Sequence, residues 1–280
     1  MENTYITPSA SPRSGSEERN KPALLAFHGS GSNGTIHTVQ LARLSRLLKQ
    51  HFEIVALEAP YPSAAGPGIL PFFEGCGPFK RWLPPQEKTI SVDGMKRGEA
   101  SGTMPPEVET LIRSTVSDIE ASGGKVVGAI GFSQGTRIVA GLLKGAQVRR
   151  MAMQQGREVD ADSTRWLEGF KFGLSVCGSY PPPLVPACVA SIVPPGDAAA
   201  GVEEKIDIPT LHIQGKQDEW EWAGELLIAH YALGEGKSEV WRLDMGHHYP
   251  VALEENEKIY KWVLEQWTRS EGGGQVEKTV

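Results

Sequence analysis

Short apolar runs alternate along the chain with stretches in which apolar residues recur every three to four positions. Residues 23–27, 53–57, 125–132, 170–177, 210–213 and 238–243 are runs of strand length, apolar mostly without alternation. A strand apolar on both faces is covered on both faces, as in a parallel sheet flanked by helices. Between the runs, residues 36–50 carry Leu41, Leu44, Leu47 and Leu48 at helical spacing. Residues 106–122 place Val108, Leu111, Ile112, Val116 and Ile119 on one helical face, and 134–144, 220–231 and 253–267 read as further helices. The pattern predicts the α/β class, with about six mostly parallel strands and helices on both faces. Ligands in such sheets bind beyond the carboxyl ends of the strands.

Two long segments interrupt this rhythm. Residues 60–105 are rich in Pro and Gly and carry Phe72, Phe73, Phe79 and Trp82. Residues 178–209 hold Pro181-Pro182-Pro183 and Pro194-Pro195. Loops of this length are functional or disordered. Both leave the carboxyl edge, so they are expected to overhang the site as active-site loops or a lid. Residues 1–20 are too polar to bury anything and are expected to be a disordered tail. Residues 269–280, with Gly272-Gly273-Gly274, are expected to be a second one. A single domain is expected over 21–268.

Composition narrows the function. Of 280 residues, 40% are hydrophobic and 22% charged, with a net charge of −6. Apart from Arg149-Arg150, no cationic cluster could neutralise phosphates, so a nucleic-acid partner is not expected. Three cysteines, Cys76, Cys177 and Cys188, show no short paired spacing, which argues against a disulfide framework or a zinc site and fits a cytoplasmic protein. The first 20 residues have no signal-peptide pattern, and no run of about 18 apolar residues predicts a membrane span.

Gly131-Phe132-Ser133-Gln134-Gly135 matches G-x-S-x-G, with a strand-like run before it and a helix-like run after it. That setting holds a serine hydroxyl out on a sharp turn, where a base can activate it, and Ser133 is the expected nucleophile. The base is expected after the last strand, where His247 and His248 stand side by side in Gly246-His247-His248-Tyr249-Pro250. Asp218, on the loop after the preceding strand, is the expected acid partner; Asp207 lies at the wrong edge and Asp244 on the histidine's own loop. The oxyanion hole is expected from the backbone N–H groups of Gln134 and of Ser30, within His28-Gly29-Ser30-Gly31-Ser32-Asn33-Gly34. That glycine-rich loop lacks Gly-Lys-Ser/Thr and does not fit a dinucleotide fingerprint.

Together with Ile208-Pro209-Thr210-Leu211-His212-Ile213-Gln214-Gly215-Lys216-Gln217-Asp218-Glu219, these segments resemble the fungal family of serine hydrolases. That α/β-hydrolase group includes the ovarian-tumour-associated serine hydrolase and the releasing thioesterases of fungal polyketide clusters. The resemblance spans roughly residues 21–268. It implies a sheet without the two leading strands of larger α/β hydrolases. It also implies a catalytic histidine three residues before a proline, which selects His247 over His248.

The expected reaction is hydrolysis of a carboxylic ester or acyl thioester through a Ser133 acyl-enzyme, requiring no cofactor and no metal. The resemblance implies a small-molecule or carrier-bound acyl substrate, with a polyketide synthase as a partner in secondary metabolism. A general carboxylesterase and a non-catalytic binding protein on the same fold are the alternatives. Phe72, Phe73, Phe79 and Trp82 are expected to form an apolar acyl pocket, so that Trp82→Ala should impair long acyl chains more than acetyl esters.

Overall fold

A computed structural model describes residues 21–85, 90–157, 159–192 and 204–271. The tail expected over 1–20, most of the one expected over 269–280, and Pro194-Pro195 lie outside the described residues. The chain opens with β1 (Ala23–Phe27), α1 (Gly34–Gln40), α2 (Ala42–Leu48) and β2 (Glu53–Leu57). The first long segment contains β3 (Tyr61–Ser63), β4 (Phe79–Arg81) and α3 (Val92–Lys96). Then come α4 (Pro106–Ala121), β5 (Val126–Phe132), α5 (Gly135–Gln154), α6 (Ala161–Thr164) and β6 (Phe172–Val176). The last elements are β7 (Thr210–Gly215), α7 (Glu221–Ile228), β8 (Glu239–Leu243) and α8 (Leu253–Ser270).

Every residue of β1, β5, β6 and β7 is buried, whereas β2 and β8 are partly exposed. The continuously apolar strands are thus the interior of the sheet and the other two are its edges. All five ladders are parallel, in the order β2-β1-β5-β6-β7-β8. Ala23, Leu25 and Phe27 of β1 pack in the same core as Val108 and Ile112 of α4 and Ile138 and Leu142 of α5. Leu24 and Ala26 join Leu44 and Leu48 of α2 and Ile259 and Trp262 of α8 on the opposite face. Strand order reverses direction between β1 and β5. Loops leaving those two strands diverge there and open a crevice at the carboxyl edge.

Three local departures from the sequence pattern have physical causes. The helix expected over 36–50 is two helices meeting at Leu41. Leu41 N–H still bonds His37 O at 2.9 Å, and Ser45 N–H bonds Leu41 O at 2.8 Å, so the break is confined to one residue. Helix α5 runs ten residues beyond 144, through a polar stretch that hides its periodicity. Its polar residues are buried because they hold loop backbone: Arg137 donates to Pro182 O and Ser101 O, Lys144 to Glu204 O, and Gln147 to Lys205 O. Finally, residues 60–105 are not simply a loop. Strands β3 and β4 form an antiparallel hairpin. It is stitched to the segment after β1 by Gly31 N–H to Lys80 O (2.8 Å) and Lys80 N–H to Ser32 O (2.7 Å). Asn33 caps α1 through Ile36 N–H and donates to Cys76 O and Pro78 O, fastening the hairpin turn to the same segment. No helix among the described residues is long and apolar enough to cross a membrane.

Two buried histidines make stability pH-dependent. His37 of α1 lies 2.8 Å from the Tyr249 hydroxyl, and His212 of β7 packs edge-on to Tyr231 at 4.4 Å. Burial lowers the pKa of each to about 3. The unfolded chain takes up these protons near pH 6.5, so stability is complete above that value and falls as the pH drops toward 3. At pH 5 the loss is on the order of 2 kcal/mol for each histidine. The urea midpoint is therefore expected to be clearly lower at pH 5 than at pH 7.5; an unchanged midpoint would contradict neutral burial.

Candidate active site

Ser133 sits between the end of β5 and the start of α5 with φ +48°, a conformation uncommon for a residue with a side chain. Its backbone is over-determined. Ser133 N–H bonds Val176 O at 3.0 Å, and Ser133 O accepts from Thr136 N–H (2.9 Å) and the Thr136 hydroxyl (2.6 Å). Such restraints hold a strained residue that would otherwise relax by about 1–3 kcal/mol. The flanking glycines are steric requirements. A Cβ on Gly135 would lie 2.2 Å from Phe27 O, and one on Gly131 would lie 2.7 Å from Gly135 O. This strand–elbow–helix unit on a parallel sheet is the α/β-hydrolase arrangement.

Asp218 lies on the turn after β7, its side chain 1% exposed. One carboxylate oxygen accepts from Trp220 N–H at 2.8 Å, and the other lies 2.8 Å from His247 Nδ1. Burial alone would raise the Asp218 pKa; the hydrogen bond and charge of His247, the Trp220 N–H and the Cys177 thiol together outweigh it and leave the carboxyl below its usual range. An ionised carboxylate accepts only, so Nδ1 carries the hydrogen and Nε2 keeps a lone pair. His247 also packs against Phe132, ring centroids 5.1 Å apart. The exposed His248 turns elsewhere: its Nδ1 lies 2.8 Å from Tyr249 O, and its Nε2 accepts from Gly246 N–H.

Cys177, next after β6, is a neighbour the sequence did not mark. It is fully buried, has φ +49°, and lies close to Asp218. Its sulfur, the Asp218 carboxylate and a His247 nitrogen all lie within 4.8 Å of one another. Metal ligation by this set is disfavoured on two counts. The Asp218 and His247 atoms are committed to each other, and burial with the Asp218 charge pushes the thiol pKa far up, away from thiolate.

Ser30 and Gln134 line one cavity of about 310 Å³ with Ser133 and His247. Among the described residues, neither the Ser30 N–H nor the Gln134 N–H donates to a protein acceptor. His28 helps aim the first of them. Its Nε2 accepts from Ala59 N–H at 3.1 Å, so Nδ1 carries the hydrogen and donates to Gly29 O at 2.7 Å. Burial lowers the His28 pKa and favours this neutral form. In a trans peptide the C=O and N–H point in opposite directions, so anchoring Gly29 O to His28 turns the Ser30 N–H away from it. Gly29 itself packs against Ser133, where a Cβ would come within 3.2 Å of the serine Cβ.

The four aromatic residues expected to line the acyl pocket do not. The rest of the cavity wall is Pro67, Arg81, Met95, Gly178, Ser179, Tyr180, Trp220 and Ala223. Phe72 is 85% exposed on the hairpin turn, and Phe73 and Phe79 are half-buried outside the cavity. Trp82 is fully buried. Its indole N–H donates to His28 O at 2.7 Å, and its backbone N–H donates to the Gln134 side-chain oxygen at 2.8 Å. The antiparallel pairing of β4 carries Trp82 beneath the segment after β1, so it supports that segment and the elbow from below. The expected chain-length effect is therefore replaced by another. Trp82→Ala should cost about 3–5 kcal/mol of stability and reduce hydrolysis of acetyl and long-chain esters alike. Thermal unfolding and paired kcat/KM values check this; a selective loss on long chains would restore the pocket role.

Known proteins are similar in sequence over most of this length. The serine hydrolase (FSH1) family model matches residues 17–259. The esterase FUS5 of Gibberella fujikuroi is 30% identical over 239 residues, covering 85% of this chain and 84% of its own. An esterase of Didymella fabae is 32% identical over 228 residues, 75% of this chain and 78% of that one. The dihydromonacolin L-[lovastatin nonaketide synthase] thioesterase of Aspergillus terreus is 29% identical over 237 residues, 81% of this chain and 85% of that one. With the family model matching from before the first strand into the last helix, the chain belongs to the FSH1 family of serine hydrolases.

Proposed function

We propose that this chain cleaves a carboxylic ester or acyl thioester with Ser133 as nucleophile, His247 as base, Asp218 as its partner, and the Ser30 and Gln134 N–H groups as oxyanion donors. The observation that carries the reading is the 2.8 Å Asp218–His247 pair opening onto the cavity that holds Ser133. His247 Nε2 takes the Ser133 proton as the oxygen attacks the carbonyl carbon. The two N–H groups receive the developing negative charge. The imidazolium, stabilised by Asp218, then protonates the departing alcohol or thiol. Water attacks the acyl-enzyme, His247 takes its proton, and collapse of the second intermediate releases the acid and restores Ser133. The chain's own residues suffice for every step.

The acyl group is proposed to come from a polyketide, released or trimmed from its synthase. Similarity to a relative whose name describes a thioesterase acting with a synthase supports this choice. The test compares hydrolysis of an acyl group on its carrier protein with that of the same acyl group on a free small thiol, for the wild type and for Ser133→Ala. The expected result is faster turnover of the carrier-bound form and none in the variant. Equal turnover of both forms would favour a carboxylesterase without a dedicated partner.

A further inference from the structure

The hydrolytic chemistry gives Cys177 no role, yet its thiol lies against the acid end of the site. Cys177 is the first residue after β6, as Ser133 is the first after β5, and their φ angles are +49° and +48°. Val176 faces Phe132 in the ladder, so the two residues leave neighbouring strands at the same level of the carboxyl edge. The backbone at Cys177 is held on both sides. Its N–H donates to Ile213 O of β7 at 2.8 Å. On the other side, a Cβ on Gly178 would come within 2.9 Å of Gly224 Cα in α7. The sulfur is thereby aimed at the catalytic pair. Sγ lies 3.7 Å from Gly246 O and 3.6 Å from His248 O, the carbonyls of the residues on either side of His247. It also lies within 4.8 Å of the Asp218 carboxylate and of a His247 nitrogen.

We propose that Cys177 is a positioning residue: its thiol donates to the Asp218 carboxylate, and its sulfur backs the loop that carries His247. This rests on the hydrolase reading above and adds a residue to that site. A thiol has one hydrogen to donate, and here it has two carbonyls and a carboxylate to choose from. The carboxylate is the charged acceptor and makes the stronger bond. Burial and the Asp218 charge both oppose ionisation of the thiol, so the hydrogen stays on sulfur. Asp218 then has three donors: His247 Nδ1, the Trp220 N–H and the thiol. Turning the carboxylate off Nδ1 would disturb the other two bonds, so the imidazole keeps the orientation that proton transfer from Ser133 needs. A misplacement of about 1 Å in such a group costs a rate on the order of 10²-fold. A thiol suits the position because it is buried as readily as a small apolar group and still offers a donor.

The experiment measures kcat and KM on p-nitrophenyl butanoate for the wild type, Cys177→Ala and Cys177→Ser. Rates are referred to active sites counted by end-point labelling with a fluorophosphonate probe, which removes any difference in the fraction folded. Cys177→Ala should lower kcat by about 10- to 100-fold with KM little changed. Cys177→Ser keeps a donor and should recover most of that loss. Both variants share the backbone demand at φ +49°, so strain does not separate them. A kcat per active site unchanged in Cys177→Ala, or a serine variant as slow as the alanine one, overturns the assignment and leaves the hydrolase reading intact. Should Cys177→Ala not fold, the infrared S–H stretch decides. Cys188 lies beside Glu109 and Cys76 is exposed, so an S–H band that responds to Asp218→Asn belongs to Cys177. That band should move to higher frequency as the charged acceptor is lost; an S–H spectrum unchanged by Asp218→Asn overturns the assignment. A wild type that neither turns over the ester nor takes the label overturns the hydrolase reading and the positioning role with it.

Discussion

Ser133→Ala should lower kcat/KM for a p-nitrophenyl ester by about 10⁴- to 10⁶-fold and abolish covalent labelling by a fluorophosphonate probe. The alanine variant keeps the backbone, and the elbow is held from outside the side chain, by Val176 O and by both Thr136 donors. Thermal unfolding should therefore stay close to the wild type. What disappears is the hydroxyl oxygen proposed as the nucleophile, on a residue that shares its cavity with His247, Ser30 and Gln134. Residual catalysis from the oxyanion donors and substrate binding sets the floor. Labelling that persists in Ser133→Ala would place the nucleophile elsewhere and would end the assignment.

Asp218→Asn should reduce kcat by about 10³- to 10⁴-fold with little change in KM. The substitution preserves shape, but the carboxamide no longer forces the hydrogen onto His247 Nδ1. An amide N–H facing Nδ1 instead favours the tautomer with hydrogen on Nε2, which has no lone pair to receive the serine proton. The imidazolium formed during attack also loses a buried counter-charge. The Trp220 N–H, which donates to the other carboxylate oxygen at 2.8 Å, can still bond the amide oxygen, so the turn should survive. Pre-steady-state kinetics would separate the cases. A loss confined to substrate binding, with acylation unaffected, would contradict an acid that works through the histidine.

Much of this site was legible before the fold was known, and the reasons are local. Ser133 announced itself because the elbow needs glycine at 131 and 135, and those steric demands are written into adjacent positions. The six strands were legible because burial on both faces leaves a run of apolar residues with no alternation. The expected six-stranded parallel α/β architecture is what the fold contains. The weaker readings failed where a residue's role depends on a distant partner. The polar end of α5 lost its periodicity because loop carbonyls, at Glu204 and Lys205 among others, satisfy Lys144 and Gln147. Cys177 carried no motif; only the approach of β6 to the Asp218 and His247 loops gives it neighbours.

The aromatic segment shows the same limit most clearly. Phe72, Phe73, Phe79 and Trp82 formed a plausible pocket by composition, and composition says nothing about which way a hairpin faces. Pairing β3 with β4, and β4 with the segment after β1, sends Trp82 into the core and Phe72 into solvent. The cavity wall falls instead to Arg81, Met95, Tyr180 and Trp220, drawn from four separate stretches of chain.

The sequence by itself determined the class of fold, the elbow serine, and an order of serine, aspartate and histidine along the chain, because each follows from contacts within a few residues or from the burial of whole strands. Geometry between distant residues was left to the tertiary structure. It turns the Ser30 N–H away from His28, carries Trp82 into the core, and draws the cavity wall from separate stretches of chain. Those outcomes depend on packing and hydrogen bonds across loops far apart in the chain, which no local pattern of residues encodes.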